Sequence, residues 1–409
     1  MKIKTTIEKQ LPFKIDKPTA HALTYIGRTE DIHISPDGQY LALAAYLFNK
    51  ILVMRIDIDK EKNRWNISLN QSFEIVSSAL KAPHGVFWID NQHIMVANRS
   101  TDSAVFKLPK NHSKSNLDLD PISSIKADHI GLDKDSSCLY VYNLGLGLYE
   151  AIFCSNDGHY VSAHILDESK QFALQSSIIL LEKGLNVPDG VALSDDRRWI
   201  GVSNHDNHSV YVYPNHSLLD KHADPSATLN GPMYPHGIIF YNDDHYIFVA
   251  DAGAPFVYGF FSPSGDWEGW FQPFIKLQVM EEDSFATGHF HFTEGGPKGI
   301  YITPNTHLLI ITCDQVRLAF FDLKKILEPF NHKIKKKASS RNHSLSFIEI
   351  APILRHLNYT RLNTNKLNVT IKKLIIELNS NKSLAFKIML KFIFNKCSSK
   401  VGKLFFKNK

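Results

Sequence analysis

The sequence has little cysteine and no long hydrophobic run. Its four cysteines among 409 residues form no CxxC pair, which excludes a disulfide-built scaffold and favours a reducing compartment. No run of about 18 or more apolar residues occurs, so a membrane-spanning helix is not predicted. The first residues also lack the apolar stretch of a secretory signal. We therefore expect a cytoplasmic protein.

Two common catalytic motifs are also missing. There is no Gly-x-Ser-x-Gly nucleophile elbow and no glycine-rich phosphate loop. Hydrophobic residues make up 44% and charged residues 21% of the chain, which is the composition of a globular protein with a real core. The function must therefore be sought in other patterns.

The net charge of +5 hides two oppositely charged parts. Residues 331–409 carry 18 Lys and Arg against two acidic residues, a charge of +16, which leaves 28 against 39, or −11, for residues 1–330. We predict an acidic body over 1–350 and a basic, mainly helical tail over 351–409. Residues 380–409 combine a wide apolar arc with lysines, a pattern that fits peripheral attachment to an anionic membrane or docking on a protein partner. Arginine is scarce there and no stacking platform is evident, which argues against nucleic acid.

A short signature recurs along the acidic body. Each copy is followed by an alternating apolar segment, a polar turn and a second apolar strand. The four clear copies are Pro83-His84-Gly85-Val86, Pro188-Asp189-Gly190-Val191, Pro235-His236-Gly237-Ile238 and Pro297-Lys298-Gly299-Ile300. Weaker copies surround residues 31 and 129.

Six copies of a short-strand unit predict an all-β fold, a six-bladed β-propeller. Each unit is too small to bury its own apolar faces and must stack on its neighbours around an axis. The glycine of the signature fits either a positive φ or a close backbone approach near that axis. The alternative is a pair of β-sandwiches or two unrelated β-domains. Residues 2–7 are candidates to close the ring with the last blade, which the sequence leaves open.

The residue before each signature position is expected to face the axis at one end of the ring. Six side chains would meet there, and a second ring would lie one strand further out, about 4.8 Å away. The inner set is Glu30, His84, Asp128, Asp189, His236 and Lys298, and the outer set is Asn98, Asn143, Asn204 and Asp251.

Carboxylates that face one another across a narrow funnel either raise their pKa values or hold a cation. Carboxylate and amide oxygens suit Ca²⁺, whereas His84 and His236 suit a softer metal or general-base chemistry. The alternative is that Asp and His before glycine only form turns and bind strand ends. The sequence leaves both interpretations open.

Two of these segments resemble a known family. The stretch from Gly27 to Gly38, with Glu30-Asp31 inside it, looks like the first blade of the arylesterase/paraoxonase family, and the His84 segment looks like that family's second blade. The wider gluconolactonase and regucalcin-like superfamily shares the six blades and an axial metal. Asp251-Ala252-Gly253 is also similar to NHL-repeat propellers.

The resemblance implies roles for individual residues. Carried over by position, it makes Glu30, Asp128, Asp189 and His236 metal ligands, Asp31 a ligand of a second, structural calcium, and His84 the base. The chain departs from the family, which usually has Asn where Asp128 and Asp189 stand, Asp where His236 stands, and a histidine where Arg99 stands. These departures imply Mn²⁺, Fe²⁺ or Zn²⁺ instead of Ca²⁺, or lost activity.

Two functions follow as hypotheses. The first is a metal-dependent hydrolase of small esters or lactones, in which His84 removes a proton from water and Lys298 steers an anionic group of the substrate. The second is a non-catalytic propeller that binds a partner on its axial face and is held at a membrane by its tail.

Overall fold

Six small β-sheets surround one axis. They are seen in a computed structural model, which describes residues 4–7, 9–62, 64–109, 115–125, 135–288, 293–330, 351–352 and 355–356. The predicted six-bladed β-propeller is confirmed. Residues 344–350, expected to form a fourth strand, and the helices expected within 357–409 lie outside the described residues.

The segment before the first blade contributes two short strands and a helix. Asp16 begins the helix, because its carboxylate accepts a hydrogen bond from the Thr19 backbone N–H at 2.8 Å and Pro18 follows within the first turn. The elements are β1 (Lys4–Ile7), β2 (Lys14–Ile15) and α1 (Lys17–Thr24).

The first three blades have at least four strands each. Blade 1 comprises β3 (Thr29–Ile34), β4 (Tyr40–Ala45), β5 (Lys50–Glu61) and β6 (Arg64–Val76), and β10 (Asn116–Asp118) joins its edge. Blade 2 comprises β7 (Pro83–Trp88), β8 (His93–Asn98), β9 (Ser103–Lys107) and β11 (Ser123–Ile125). Blade 3 comprises β12 (Ser136–Gly145), β13 (Leu148–Ser155), β14 (Tyr160–Asp167) and β15 (Ala173–Leu181).

The last three blades follow the same antiparallel order. Blade 4 comprises β16 (Pro188–Leu193), β17 (Trp199–Asn204), β18 (Ser209–Pro214) and β19 (Ala227–Asn230), and β23 (Gly269–Phe271) joins its edge. Blade 5 comprises β20 (Pro235–Tyr241), β21 (Tyr246–Asp251), β22 (Phe256–Phe261) and β24 (Ile275–Gln278). Blade 6 comprises β25 (Gly299–Ile302), β26 (Leu308–Thr312) and β27 (Ala319–Asp322). Two short helices, α2 (Glu282–Thr287) and α3 (Leu323–Leu327), flank blade 6 in sequence.

Strands in the middle of the blades are buried on both faces, as in β17 and β21, where every residue is buried. They therefore read as continuous apolar runs rather than as alternating ones. The apolar clusters lie between adjacent blades; the cluster between blades 6 and 1 contains Ile32, Leu43, Ile310 and Phe320. Burial between blades holds the ring together.

The signature glycines are explained by close packing, not by a positive φ. None of the four has a positive φ. A Cβ on each would collide with the innermost strand of the next blade, at Ser137 O for Gly85 (2.6 Å), His236 O for Gly190 (1.9 Å), Lys298 O for Gly237 (2.4 Å) and Asp31 Cα for Gly299 (2.9 Å). The glycines therefore let neighbouring backbones touch around the axis.

Blade 3 departs from the predicted register. The first strand was expected near residue 129 and Cys138–Asn143 was expected to be second, but β12 is the innermost strand and contains Cys138 and Asn143. Gly85 packs on Ser137 and Cys138. Blade 3 has Cys138 where four of the other blades have the signature glycine, and without that glycine the sequence pattern predicts the wrong register.

The ring closes without a strand shared between the first and last blades in the described part of the chain. Residues 4–7 form β1, which pairs in parallel with β24 of blade 5, not with blade 6. Blade 6 is instead joined to neighbouring segments by a hydrogen bond from Leu11 N to Phe320 O at 2.8 Å and by Asp322, which binds Lys60 at 2.8 Å and the Trp65 indole at 2.9 Å.

A short segment after the blades is anchored in blade 3. The guanidinium of Arg355 is fully buried and contacts the buried Glu150 carboxylate at 3.0 Å and 3.3 Å. It also donates to Asn215. The compact propeller unit accordingly extends to His356. No helix among the described residues is both long and apolar enough to span a bilayer.

Candidate functional site

Five of the six predicted inner-ring side chains converge at one end of the propeller axis. They are all nearly or fully buried: Glu30 (0% exposed), His84 (0%), Asp189 (3%), His236 (1%) and Lys298 (2%). Each precedes a position at which adjacent blades touch, so its side chain is fixed by the backbone packing beneath it. The structure brings these five predicted side chains together.

Two carboxylates and two imidazoles form a closed ring of contacts. His84 Nε2 lies 3.5 Å from Glu30 Oε2 and 3.7 Å from Asp189 Oδ1. His236 Nε2 lies 3.4 Å from Glu30 Oε2 and 3.3 Å from Asp189 Oδ2. The two imidazole rings are stacked, with centroids 5.2 Å apart. Donor atoms of both chemical types therefore surround one point.

Three cations balance these carboxylates. Arg28 Nε contacts Glu30 Oε1. Lys298 Nζ lies 3.2 Å from Glu30 Oε2. Arg99 donates to His84 Nε2 at 3.1 Å and lies 3.8 Å from Asp189 Oδ1. The site is therefore a mixed-charge cluster rather than the electronegative funnel that three carboxylates alone predicted.

A further carboxylate comes from the loop before β25. Glu294 Oε2 accepts a hydrogen bond from Lys298 Nζ at 2.8 Å, and Glu294 Oε1 lies 3.3 Å from His205 Nε2. His205 also lies 3.9 Å from Asp189 Oδ2 and packs on the Tyr234 ring at 4.8 Å. Glu294 and His205 thus add an acid–base pair to the cluster.

Burial and the neighbouring charges together lower the pKa values of Glu30, Asp189 and His84. Burial alone would raise the pKa of Glu30, but Lys298 and Arg28 outweigh it and hold that pKa well below its usual range. The same balance lowers the pKa of Asp189, through the neighbouring imidazoles and Arg99. Burial, reinforced by Arg99, lowers the pKa of His84 well below its usual value. His84 is therefore neutral and Glu30 ionised at neutral pH.

Lys298 and His205 are shifted toward the charged form. Burial alone would lower the pKa of Lys298, but Glu30 and Glu294 raise it. Burial would likewise lower the pKa of His205, and Glu294 and Asp189 raise it. Lys298 is therefore a permanently charged hydrogen-bond donor inside the site.

The sixth predicted position, Asp128, lies outside the described residues. The place against Gly85 that blade 3 supplies is occupied by Ser137, whose Oγ donates to the Asp189 backbone carbonyl at 3.1 Å. Asp135, just before it, lies 3.6 Å from Arg99 Nη1. Blade 3 therefore contributes a backbone-binding hydroxyl at this level of the site.

The carboxylate of Asp31 binds backbone N–H groups of blades 1 and 2 instead of the axial cluster. Its Oδ1 accepts from the Ile32 N–H at 2.8 Å and its Oδ2 from the Val86 N–H at 3.0 Å. Burial raises its pKa to about 7 despite these two hydrogen bonds. Asp31 therefore joins blades 1 and 2 through two backbone hydrogen bonds.

The predicted outer ring binds loops, not the axis. Asn98, Asn204 and Asp251 end their second strands as expected, and their side chains accept hydrogen bonds from the backbone N–H of Lys81 (3.1 Å), Asn186 (2.6 Å) and Met233 and Tyr234 (2.8 Å each). Asn143 lies instead on the innermost strand of blade 3, where its exposed side chain accepts from Gly145 N.

Several donor atoms of the ring are buried without a hydrogen bond. They are both ring nitrogens of His236 and Asp189 Oδ1, whereas the two Glu30 oxygens face Arg28 and Lys298. Glu30, His84 and His236 offer donor atoms within 4.8 Å of one another. The separations between imidazole nitrogens and carboxylate oxygens are 3.3–3.7 Å, which is the spacing of neighbouring ligands on an ion with bonds of about 2.0–2.2 Å, as for Zn²⁺.

The same donor set suits Ca²⁺ poorly. Calcium takes about six to eight oxygen ligands, whereas half of the donors here are imidazole nitrogens and the nearest additional groups are cations. Mixed imidazole and carboxylate ligands are typical of Zn²⁺, Mn²⁺ and Fe²⁺ sites. The residues present therefore fit a softer divalent ion.

Arg28 and Glu294 are the site residues that the sequence pattern missed. Arg28 stands two residues before Glu30, a spacing that places both side chains on one face of an extended segment. Glu294 precedes Lys298 by four residues in a loop that carries no strand periodicity. Only the first of these two had a signal in the sequence.

Comparison with known proteins assigns no family to the chain. No family model and no curated protein matches the sequence. Among solved structures, the chain is similar to a luciferin-regenerating enzyme (12% identity, TM-score 0.47, covering 72% of this chain and 91% of that one) and to a functionally unknown protein from Desulfotomaculum acetoxidans DSM 771 (12%, 0.47, 72% and 83%). The class that the fold defines is that of six-bladed β-propellers.

Proposed function

We propose that the axial cluster is the active site of a metal-dependent hydrolase that acts on small esters or lactones. The observation that carries the proposal is the buried ring of Glu30, His84, Asp189 and His236, whose facing atoms lie 3.3–3.7 Å apart. Such a converging set of buried titratable groups is typical of catalytic sites.

Glu30, Asp189 and His236 would hold a divalent ion, with Zn²⁺, Mn²⁺ or Fe²⁺ preferred over the Ca²⁺ of the resembling family. The bound ion would supply Lewis-acid polarisation of the substrate carbonyl. Arg28 and the Glu30 carboxylate it contacts define one side of this ligand set. Arg99 lies against its other side, at His84 and Asp189.

His84 is the candidate general base. Its pKa is lowered by burial and by Arg99, so the imidazole is neutral and able to accept a proton at neutral pH. Arg99 donates to Nε2 at 3.1 Å and orients the ring. The attacking water would have to displace the contact between Arg99 and His84 Nε2 before proton transfer. Arg99 is therefore a positioning residue for the reaction.

Lys298 is the candidate electrophilic donor. Its charge is secured by Glu30 and Glu294, and it is buried at the centre of the site. A fixed ammonium group in a water-poor site stabilises a developing oxyanion more strongly than it would in water. Together with Arg28 and Arg99 it also favours a substrate that carries a carboxylate.

Metal analysis combined with isosteric variants tests this proposal. The purified full-length protein is expected to bind one equivalent of a divalent ion, and Glu30→Gln or Asp189→Asn is expected to lose it together with hydrolysis of a panel of esters and lactones. Glu268→Gln, an exposed acid far from the ring, serves as the matched control. If the protein binds no divalent ion, or if both variants bind it as the unaltered protein does, the proposal fails.

One observation favours the non-catalytic alternative. Glu30 and Glu294 already have Lys298 and Arg28 as partners, and Asp189 has Arg99, so the cluster is compensated by its own side chains. Such a cluster can serve to fix blade geometry, with partner binding at the axial face and attachment of residues 380–409 to anionic lipid. Salt-sensitive binding of the full chain to phosphatidylserine vesicles, lost on deletion of 380–409 and without ester turnover, would support this function.

A further inference from the structure

The opposite end of the propeller channel contains a cavity of about 410 Å³. Innermost strands of all six blades line it, from the level of Asp31, Cys138 and Gly237 down to the turns around Asp195 and Asp243. This volume falls in the range of about 300–1,000 Å³ that is usual for small-molecule sites. The cavity lies below the axial cluster and is lined by a different set of side chains.

Aromatic rings form much of its wall. The rings of Phe87 and His33 lie 4.0 Å apart, those of Phe87 and Tyr140 5.2 Å apart, and those of His33 and Tyr301 5.2 Å apart. They come from blades 1, 2, 3 and 6 and so make a belt around the channel. A belt of ring faces attracts a cation and an apolar body at the same time.

The charged groups of the lining have one sign. Two exposed carboxylates, Asp195 and Asp243, stand at the mouth, and Asp31 stands at the inner end. No lysine or arginine is among the lining residues that the structure describes.

The mouth is held in place by an unusual turn. Asn242, Asp243 and Asp244 follow one another with φ values of 56°, 53° and 66°. Three left-handed residues in succession are costly, although Asn and Asp tolerate the conformation better than other side chains. The buried Asp244 carboxylate accepts from the backbone N–H of Asp195 at 2.7 Å. It thereby ties the turns of blades 4 and 5 together.

Strain of this kind persists where surrounding structure enforces it, and it clusters at binding sites. Here the Trp267 indole donates to the Asp244 carbonyl at 3.0 Å and fixes the turn from behind. The result is that Asp195 and Asp243 are presented side by side at the opening of an aromatic channel.

We infer that this cavity is a binding site for a small organic cation, an ammonium group on an aromatic or branched apolar body. The ammonium lies at the mouth near Asp195 and Asp243, and the apolar body lies between Phe87, Tyr140 and Tyr301. The inference does not depend on the proposed hydrolase activity, since no residue of the axial metal set contributes to it.

Three probes of one shape and different charge test it: 1-naphthylmethylammonium, 1-naphthylmethanol and 1-naphthoate, titrated into the full-length protein by calorimetry. The ammonium is expected to bind about tenfold more tightly than the alcohol, because the carboxylates of Asp195 and Asp243 attract its charge, and the carboxylate is expected not to bind. The affinity for the ammonium should fall with added salt.

Variants locate the bound probe. The double variant Asp195→Asn/Asp243→Asn changes two exposed side chains and is expected to weaken ammonium binding about fivefold without affecting the alcohol. Tyr301→Leu removes a ring without removing a charge and should weaken both probes. Asp118→Asn, an exposed acid on an outer strand, is the matched control, and Glu30→Gln shows whether the axial cluster takes part.

Each contrary result overturns the inference. It is wrong if the three probes bind alike, if no saturable binding occurs in the millimolar range, or if the double variant binds the ammonium as the unaltered protein does. Loss of binding in Glu30→Gln but not in the double variant would place the cation in the axial cluster and would equally refute it.

Discussion

Replacing His164 should make the protein less sensitive to acid. His164 lies on β14 with 2% exposure, and its ring contacts the hydroxyls of Ser162 at 2.9 Å and Ser177 at 2.8 Å. Burial, with a smaller contribution from the charge of His356, lowers its pKa to about 3. The native protein therefore keeps this imidazole neutral across the mildly acidic range.

The size of the effect follows from linkage. In the unfolded chain the pKa of a histidine is about 6.5, so between about pH 7 and pH 5 only the unfolded state takes up this proton. Stability falls wherever the unfolded state binds more protons. For a group that stays neutral when folded, the loss over this interval is about 2 kcal/mol. Carboxylates with lowered pKa values act mainly below this range.

Urea unfolding followed by tryptophan fluorescence at both pH values measures this contribution. The His164→Gln variant is expected to be less stable than the unaltered protein at pH 7, and the difference should shrink by about 2 kcal/mol at pH 5. Contributions from other groups, such as Asp31, are shared by both proteins and cancel. Ser177→Ala keeps the imidazole and serves as control. Parallel loss of stability in His164→Gln and the unaltered protein would refute the reasoning.

Three further predictions concern packing and charge. Gly190→Ala should destabilise the fold by about 3 kcal/mol in urea unfolding, because its Cβ would lie 1.9 Å from His236 O; a smaller loss than that of a surface Gly→Ala change would contradict the close approach. Arg355→Met should cost about 3–5 kcal/mol by leaving Glu150 buried and unpaired, and adding Glu150→Gln should restore part of it. Lys298→Met should tighten Zn²⁺ binding about tenfold in a competition titration while lowering ester turnover; unchanged affinity would show that the ammonium does not compete with the ion.

The fold could be predicted from the sequence where local chemistry repeats. The Pro-x-Gly signature marks four blades because only glycine permits the backbone contact at Gly85, Gly190, Gly237 and Gly299. Blade 3 has Cys138 at the position of the signature glycine. The sequence therefore predicts β12 as a second strand, although it is the innermost one. Register errors of this type arise wherever a repeat loses its one sterically required residue.

The candidate site could be predicted only as far as it follows the repeat. Glu30, His84, Asp189 and His236 occupy equivalent positions, and the structure brings them together. Glu294 comes from a loop whose path depends on tertiary packing, so no periodicity marks it. The charge balance that Arg28 and Glu294 create, and with it the direction of each pKa shift, required the coordinates.

The touching backbones around the axis separate two tasks that most sites combine. Steric exclusion at each glycine fixes where the preceding side chain emerges. The contacts among those side chains then form between blades whose spacing the backbone has set. The spacing of the axial donors is thus a property of the backbone, and the charge of the cluster is a property of the side chains.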